Sequence, residues 1–413
     1  MLYVFLMATI LDPAPSLAPA APADAGIFDA LALQPADPLL SVIGAFRADP
    51  RPNKIDVGVG VFRTETGETP VFRAMKTAER RLLETQDTKA YLGPEGDIGF
   101  FQALRPVVFG AADPGERVFG LQTPGGTGAL RLAAELIAQA RPGARVFLGT
   151  PTWPNHPPIL KKTGLEQVAY RHFDAETQAV CFDDVVAALE SAGAGDVALL
   201  QVCCHNPTGA DFTVEQWHEI ARILGRRGVL PLLDLAYQGL AEGLDADAAG
   251  VRIVLDQVPA ALIAYSCDKN FGLYRERTGA LFGIAASGER ARIAHSNVLA
   301  LARAAWSMPP DHGAAAARII LVSPELSADW RAELAEMRDR IVSMRELLGT
   351  IDPAFAPLAR QHGMFSTLPL SPEQVRRLRE EFAVYMPNSG RINIAGLTRG
   401  NVEAFVRAVK SVL

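Results

Sequence analysis

The sequence has few of the features that mark disulfide-rich, metal-binding, membrane or nucleic-acid-binding proteins. Four cysteines in 413 residues are too few for a disulfide framework, so we predict reduced thiols and a cytoplasmic protein. Cysteine and histidine do not occur at the spacing of a metal site, and we expect no metal. Apolar runs stay shorter than the roughly 18 residues of a membrane-spanning helix, which predicts no membrane partner. A net charge of −6 lacks the basic excess typical of nucleic-acid binders.

What is present indicates a globular protein of two or three domains, because 49% of the residues are hydrophobic and 21% are charged. The N-terminus is treated separately. Residues 1–11 are apolar and an Ala/Pro-rich stretch follows to Gly26. A signal peptide is one interpretation, but no Lys or Arg precedes the apolar run. We therefore expect residues 1–26 to be a disordered extension, with Met7 as an alternative start.

From Ile27 onward, short apolar runs alternate with amphipathic segments, which predicts an α/β fold with a mostly parallel, doubly wound sheet. The predicted strands cover 117–122, 144–149, 197–203, 229–234, 261–267 and 280–285. The predicted helices include 128–140, 214–227, 328–348 and 401–413. Because the last two strands have only a short link, we expect them to pair antiparallel. We predict a large domain over 70–329 and a smaller α+β domain formed by 27–69 and 330–413.

Two turns lie where α/β proteins bind ligands. The segment QTPGGTG (122–128) joins a predicted strand to a predicted helix. Its glycines let backbone amides approach an anion, although a simple tight turn remains an alternative. Asn206, in HNPTG (205–209), follows the strand over 197–203 and thus lies at the carboxyl edge of the sheet. An ordinary Asn-Pro turn is the alternative here.

Two charged residues follow buried strands. Asp234 ends one strand, with Tyr237 three residues later, and a buried carboxylate is costly unless it has a partner. It therefore predicts a cationic partner, or else a helix N-cap. Lys269, one of only seven lysines, lies directly behind an apolar strand, a position that suits imine formation with an aldehyde. Ser266 and Arg277 flank it as candidate phosphate donors; a surface lysine is the alternative.

Together these segments resemble the class I pyridoxal-phosphate-dependent aminotransferases, in particular the aspartate/aromatic amino acid subgroup. The resemblance covers nearly the whole chain and rests on VGVGVFR (57–63), KAYLGPEG (89–96), QTPGGTGALR (122–131), TPTWPNH (150–156), HNPTG (205–209), DLAYQG (234–239), KNFGLYRER (269–277) and GRINIAG (390–396). It implies the fold type I of pyridoxal-phosphate-dependent transferases, with pyridoxal 5′-phosphate bound by the large domain. It also implies ping-pong transfer of an amino group between aspartate or an aromatic amino acid and 2-oxoglutarate. The expected partners are small molecules, namely amino acids and 2-oxo acids. The expected assembly is a homodimer with shared active sites.

The resemblance also implies roles for individual residues. Lys269 would bind the cofactor and move the substrate proton, Asp234 would pair with the ring nitrogen, and Trp153 would stack on the ring. Tyr237 and Asn206 would contact the phenolic oxygen. The phosphate would be held by Gly126, Thr127, Ser266, Arg277 and, from the neighbouring subunit, Tyr91. The substrate would contact Gly60, Trp153, Asn206, Arg391 at its α-carboxylate and, from the neighbour, Arg303 at its distal carboxylate. The bonds 150–151 and 206–207 are expected to be cis.

The chain departs from the family pattern at several positions. Asp268 replaces a common Ser before the lysine, and this anion should weaken cofactor retention unless Arg277 or another cation offsets it. Gln201 stands where the subgroup often has His, and we expect its amide to donate to Asp234. Three further differences concern the substrate range: Met308, Trp306 and Ala90.

Other functions remain open at this stage. A β-lyase or a decarboxylase on the same fold would use the same cofactor, but two carboxylate-binding arginines favour transamination. A weakened paralogue is a further alternative, suggested by Asp268. A non-enzymatic regulator would need an N-terminal DNA-binding domain, for which residues 1–26 are too short and lack basic charge.

Overall fold

The computed structural model describes residues 26–34 and 38–413. Residues 1–25 of the extension predicted over 1–26 lie outside the described residues. The strands are β1 Ile55–Asp56, β2 Val118–Pro124, β3 Arg145–Thr150, β4 Glu166–Arg171, β5 Phe173–Asp174, β6 Ala179–Val180, β7 Val197–Gln201, β8 Leu230–Leu235, β9 Ala261–Ser266, β10 Thr278–Ile284, β11 Phe365–Thr367, β12 Val384–Tyr385 and β13 Arg391–Asn393. The helices are α1 Pro38–Ala48, α2 Arg73–Thr85, α3 Ile98–Phe109, α4 Gly125–Ala140, α5 His156–Lys162, α6 Phe182–Ser191, α7 Val214–Arg227, α8 Leu244–Asp247, α9 Ala249–Leu255, α10 Gly288–Ala305, α11 His312–Val322, α12 Pro324–Ile351, α13 Pro372–Phe382 and α14 Val402–Val412.

A seven-stranded sheet forms the centre of the large part of the protein. Its strand order is β2-β10-β9-β8-β7-β3-β4. Strand β10 runs antiparallel to β2 and β9, and the other neighbours are parallel. The predicted α/β class, the mostly parallel sheet and the antiparallel pairing of the last two strands are confirmed.

The sheet is covered by helices on both faces. Helices α4, α5 and α10 contribute to one apolar cluster against the sheet, and α3, α7, α9 and α11 contribute to the other. Strands β7, β9 and β10 are buried along their whole length, which explains their continuously apolar sequences. Strand β4 was not predicted. It lies at the sheet edge with mostly exposed or half-buried residues, so its sequence lacks the apolar run that marked the others.

Helix ends differ from the predicted ones where capping residues act. Helix α12 starts at Pro324, four residues before the predicted 328, because the Ser323 side chain accepts a hydrogen bond from the Leu326 amide and Pro occupies the first turn. Helix α7 matches the prediction. Its start carries a capping box between Thr213 and Gln216, and its end carries Gly228 in the left-handed conformation.

Two short sheets are formed by the segments that precede and follow the central sheet in the sequence. Strand β1 pairs in parallel with β12, and β11 pairs antiparallel with β13. The β1–β12 pair links the N-terminal segment to the C-terminal one, as the grouping of 27–69 with 330–413 requires. The domain boundaries themselves remain a prediction.

Arg345 on α12 is a buried cation surrounded by neutral acceptors. Its side chain donates to the carbonyl oxygens of Leu358, His362, Gly363 and Phe365, and to the Ser366 hydroxyl. Burial lowers the pKa of Arg345 to about 10. The residue is 1% exposed, so these hydrogen bonds replace its hydration and fix the segment that leads into β11.

Two further observations complete the fold. The bonds Thr150–Pro151 and Asn206–Pro207 are both cis, as expected. Among the described helices, none combines the length and the apolar character needed to cross a membrane.

Candidate active site

A cavity of about 240 Å³ opens at the carboxyl ends of β7, β8 and β9. Asp234 lies near the end of β8, Ser266 ends β9, and Asn206 lies in the turn after β7. Open α/β sheets bind their ligands at this edge. The cavity brings together nine residues that were predicted for the site: Gly126, Thr127, Trp153, Asn206, Asp234, Tyr237, Ser266, Lys269 and Arg277.

The glycine turn forms the first turn of α4, three residues earlier than predicted. Gly125 has φ +69°, a conformation that favours glycine, and a Cβ there would lie 2.7 Å from Arg277 Nη2. A Cβ on Gly126 would lie 2.9 Å from Ser266 Cβ. The missing side chains therefore let the helix start approach Ser266 and Arg277. Backbone amides at a helix N-terminus, a hydroxyl and a guanidinium form a site suited to an anion.

Arg277 is already paired with Asp268. The Arg277 Nη1 atom donates to Asp268 Oδ2 at 2.5 Å and to the Tyr274 carbonyl oxygen at 3.2 Å. Arg277 is thus the cation that pairs with Asp268, and the guanidinium that faces the anion site is shared with a carboxylate.

Asp234 finds its partner in His156, a residue that sequence reasoning did not assign. His156 Nε2 lies 3.0 Å from Asp234 Oδ2, and its Nδ1 lies 2.8 Å from the Thr152 hydroxyl. The Trp153 and His156 rings pack edge to face, and their centroids are 5.2 Å apart. His156 closes the motif TPTWPNH, so its proximity to the predicted Trp153 was the available signal.

The prediction that Gln201 donates to Asp234 is wrong. The Gln201 amide nitrogen donates to the Asn206 carbonyl oxygen at 2.9 Å, and its oxygen accepts from the Asn206 backbone amide at 2.9 Å. The Gln201 side chain therefore stabilises the turn after β7 through hydrogen bonds to the Asn206 backbone. His156 reaches the carboxylate in its place.

Lys269, Tyr237 and Asn206 form the centre of the cavity. The Lys269 amine lies 4.9 Å from the centroid of the Tyr237 ring, and the Asn206 amide donates to the Tyr237 hydroxyl at 3.1 Å. Burial raises the pKa of Tyr237, and the Lys269 cation partly opposes this shift. The phenol therefore stays protonated at neutral pH and can donate a hydrogen bond to a ligand oxygen.

Arg391 reaches the same region from β13. Its Nη2 donates to the Gly58 carbonyl oxygen at 2.9 Å, its Nη1 lies 3.5 Å from Asn206 Oδ1, and its guanidinium lies 4.6 Å from the Phe365 ring centroid. Burial lowers the pKa of Arg391, and its Nε is buried without a partner among the described residues. Gly60 lies nearby, since a Cβ on it would come within 2.9 Å of the Phe365 ring. The unpaired donor makes Arg391 a ready site for a carboxylate.

Four predicted site residues do not line this cavity: Gly60 and Arg391, described above, and the two exposed residues Tyr91 and Arg303. Tyr91 is 92% exposed, and Arg303 is exposed at the end of α10, where it donates to the Ser307 hydroxyl at 2.6 Å. Their surroundings are connected, because Met308 Sδ accepts from the Leu92 amide at 3.1 Å. The two residues thus belong to one surface region of the described chain.

Potential metal ligands occur together at Cys203, Cys204 and Asp247, where the donor atoms lie within 4.8 Å of one another. Both oxygens of Asp247 are occupied, since they accept hydrogen bonds from the backbone amides of Gly239, Ala241, Glu242 and Gly243. These contacts give the carboxylate a structural role in the turn after β8.

The assembled groups can support one kind of chemistry. A lysine amine that lines a cavity can attack an aldehyde, an anion site lies at the start of α4, and the buried Asp234 carboxylate lines the same cavity. Arg391 adds a carboxylate site next to Asn206. The arrangement suits an amine substrate with a carboxylate and a phosphorylated aldehyde.

Comparisons with known proteins agree with this description. The family model for aminotransferase class I and II matches residues 52–409. The tyrosine aminotransferase of Rhizobium meliloti (strain 1021) is 56% identical over 375 residues, which cover 90% of this chain and 96% of that protein. The aspartate aminotransferase of Escherichia coli (strain K12) is 44% identical, covering 94% and 100%.

Solved structures show the same similarity. An aromatic amino acid aminotransferase with 3-indolebutyric acid superimposes with a TM-score of 0.91 at 46% identity, covering 94% of this chain and 100% of that one. The aromatic-amino-acid aminotransferase from Burkholderia pseudomallei, described as covalently bound to pyridoxal phosphate, has a TM-score of 0.90 at 39% identity, with coverage of 94% and 100%.

The contact between His156 and Asp234 predicts a loss of stability on substitution. His156→Leu should lower the free energy of unfolding by about 1–3 kcal/mol, because a buried carboxylate loses its hydrogen-bond partner. Denaturant titration of the cofactor-free protein measures the change, with His218→Leu on the exposed side of α7 as the control. Equal changes in the two variants would contradict the assigned partnership.

Proposed function

We propose, because the chain belongs to the class I and II aminotransferases, that it moves an amino group between aspartate or an aromatic amino acid and 2-oxoglutarate with bound pyridoxal 5′-phosphate. The resemblance predicted from the sequence is thereby confirmed, and the protein is an aminotransferase. The observation that carries the finer proposal is the convergence of Lys269, Asp234, the Asn206–Tyr237 pair and Arg277 on one cavity.

The residues present fit this cofactor. The anion site at the start of α4 suits its phosphate, because Gly126 admits the backbone amides beside Ser266, Thr127 and Arg277. The buried Asp234 suits its ring nitrogen, and the Tyr237 hydroxyl and Asn206 amide suit its phenolic oxygen. When bound, the cofactor supplies an aldehyde carbon for amines and an aromatic ring that withdraws electrons.

The chain's own groups then have defined tasks. Lys269 would hold the aldehyde carbon through Nζ, and its amine would carry the proton that the substrate Cα loses. The Asp234 carboxylate, which His156 contacts at 3.0 Å, would keep a proton on the ring nitrogen. Arg391 binds the substrate α-carboxylate and so orients the Cα–H bond toward Lys269. Trp153 lies along the cavity wall, where it can cover the ring face.

The substrate range is proposed to be dual. Arg303 provides a planar fork for the distal carboxylate of aspartate, glutamate or their oxo acids. Its surroundings are apolar where Ala90 and Met308 stand, and methionine adapts its shape to different ligands. An aromatic ring can therefore be admitted once the arginine turns aside. Relatives named as tyrosine, aromatic-amino-acid and aspartate aminotransferases support both substrate classes.

The position of these residues supports a homodimer. Tyr91 and Arg303 lie outside the cavity of their own chain, on one exposed region. A second copy of the chain that packs there would bring them to its partner's cavity, as an isologous interface permits. The cytoplasmic location stays a prediction from the cysteine content.

Absorbance spectroscopy of the purified holoenzyme tests the function. Aspartate should convert the band of the lysine-bound pyridoxal form to that of the pyridoxamine form, and 2-oxoglutarate should reverse the change. Lys269→Ala should abolish turnover while still binding cofactor non-covalently, because the attachment and the proton carrier are lost together. Release of ammonia or carbon dioxide in place of amine transfer would contradict the proposal and indicate a β-lyase or a decarboxylase.

The role of Arg303 predicts a selective loss. Arg303→Ala should reduce kcat/KM for aspartate on the order of a hundredfold, since a charge-assisted bidentate contact is worth about 2–3 kcal/mol. The kcat/KM for phenylalanine should fall far less. Arg290→Ala, an exposed arginine on the same helix, serves as the control. Equal losses for the two substrates would remove Arg303 as the specificity residue.

Shared sites predict complementation between two inactive variants. Lys269→Ala lacks the amine and Arg303→Ala lacks the distal arginine, but a mixed dimer contains one site with both residues intact. Random reassociation in equal amounts should therefore restore about a quarter of the wild-type aspartate activity. A mixture no more active than the sum of its components would show that each site is built from a single chain.

A further inference from the structure

The phosphate-binding arginine of this chain has a competitor. Arg277 Nη1 donates to Asp268 Oδ2 at 2.5 Å, and the Asp268 backbone amide donates to Ser266 Oγ at 3.2 Å. Arg277 has φ +54°, a left-handed conformation that is uncommon outside glycine. The backbone is thus held in a strained state that aims the guanidinium at the carboxylate.

The pair is unequal in its exposure. The Asp268 side chain is 8% exposed and the Arg277 side chain 41% exposed. Asp268 Oδ1 is buried with no hydrogen-bond partner among the described residues, and Asp268 itself lines the cavity. A buried carboxylate is costly without a cation, so Arg277 is the group that makes Asp268 tolerable in this position.

The same arginine faces the glycine turn. Its Nη2 lies where a Cβ on Gly125 would come within 2.7 Å, so one nitrogen is directed to the anion site while the other is bound to Asp268. A phosphate in that site would share the guanidinium with the carboxylate and would be repelled by it. The anion site is therefore partly neutralised by the chain itself.

We propose that Asp268 is an internal counter-ion for Arg277, which shares the guanidinium with the cofactor phosphate and so weakens the hold of the site on that phosphate. This inference rests on the proposed function for the identity of the anion. The consequence is a cofactor that dissociates and reloads more readily than it would with an uncharged residue at position 268.

Binding measurements on the cofactor-free protein test the proposal without reference to turnover. Wild type, Asp268→Ser and Asp268→Asn are compared for their Kd toward pyridoxal 5′-phosphate, toward pyridoxal without the phosphate, and toward inorganic phosphate. Asp245→Asn, which removes an exposed carboxylate on α8 that pairs with Arg252 on α9, is the control. The asparagine variant keeps the side-chain volume, so it remains informative where the serine variant folds poorly.

Both Asp268 variants should bind pyridoxal 5′-phosphate and inorganic phosphate more tightly, on the order of tenfold, because one unit of negative charge is removed beside an anion. Their Kd for pyridoxal should stay close to that of wild type, and dialysis should strip cofactor from wild type faster. Equal Kd values for phosphate in wild type and variants would overturn the proposal, as would an equal tightening for pyridoxal.

The outcome separates this inference from the proposed function. If pyridoxal 5′-phosphate fails to give the absorbance of a lysine-bound form in wild type, the proposed function is wrong. The inorganic phosphate series still decides whether Asp268 opposes an anion at Arg277, since it needs neither the aldehyde nor Lys269.

Discussion

The candidate site is built around polar side chains that are buried where the parallel strands end and that require hydrogen-bond partners. Asp234, Asn206 and Arg391 are each less than a tenth exposed, and each is costly unless it has a partner. The partners come from different parts of the fold: α5 supplies His156 to Asp234, and Asn206 connects Tyr237 with Arg391. Each of these three side chains is therefore positioned by a partner from another part of the fold.

The sequence predicted the location of candidate site residues correctly where a residue type and its position after a strand are enough to place the residue. Lys269, Asp234 and Asn206 each follow an apolar run, and the carboxyl ends of parallel strands must meet at one edge, so their convergence could be predicted. Partnerships between side chains depend on packing angles that a sequence does not contain. His156 lies 78 residues from Asp234, and Gln201 turns toward the Asn206 backbone instead. Strand β4 escaped detection because an exposed edge strand needs no continuous apolar sequence.

The residues that we propose for the chemistry and those that we propose for substrate selection lie in different environments. The groups around Lys269 are buried or half-buried and depend on one another, so substitution of one disturbs several contacts. Arg303 and Ala90 are exposed and have few contacts within the chain. Such positions can change with little effect on stability. The range of accepted side chains can therefore diverge among relatives while the reacting centre stays the same.

Arg345 connects α12 to the segment that leads into β11. Six hydrogen bonds join its guanidinium to that segment, and the segment ends at Phe365, whose ring lies under the Arg391 guanidinium. A shift of α12 would therefore also move the Phe365 ring on which the Arg391 guanidinium lies. The packing of this long helix is in this way coupled to the position of Arg391.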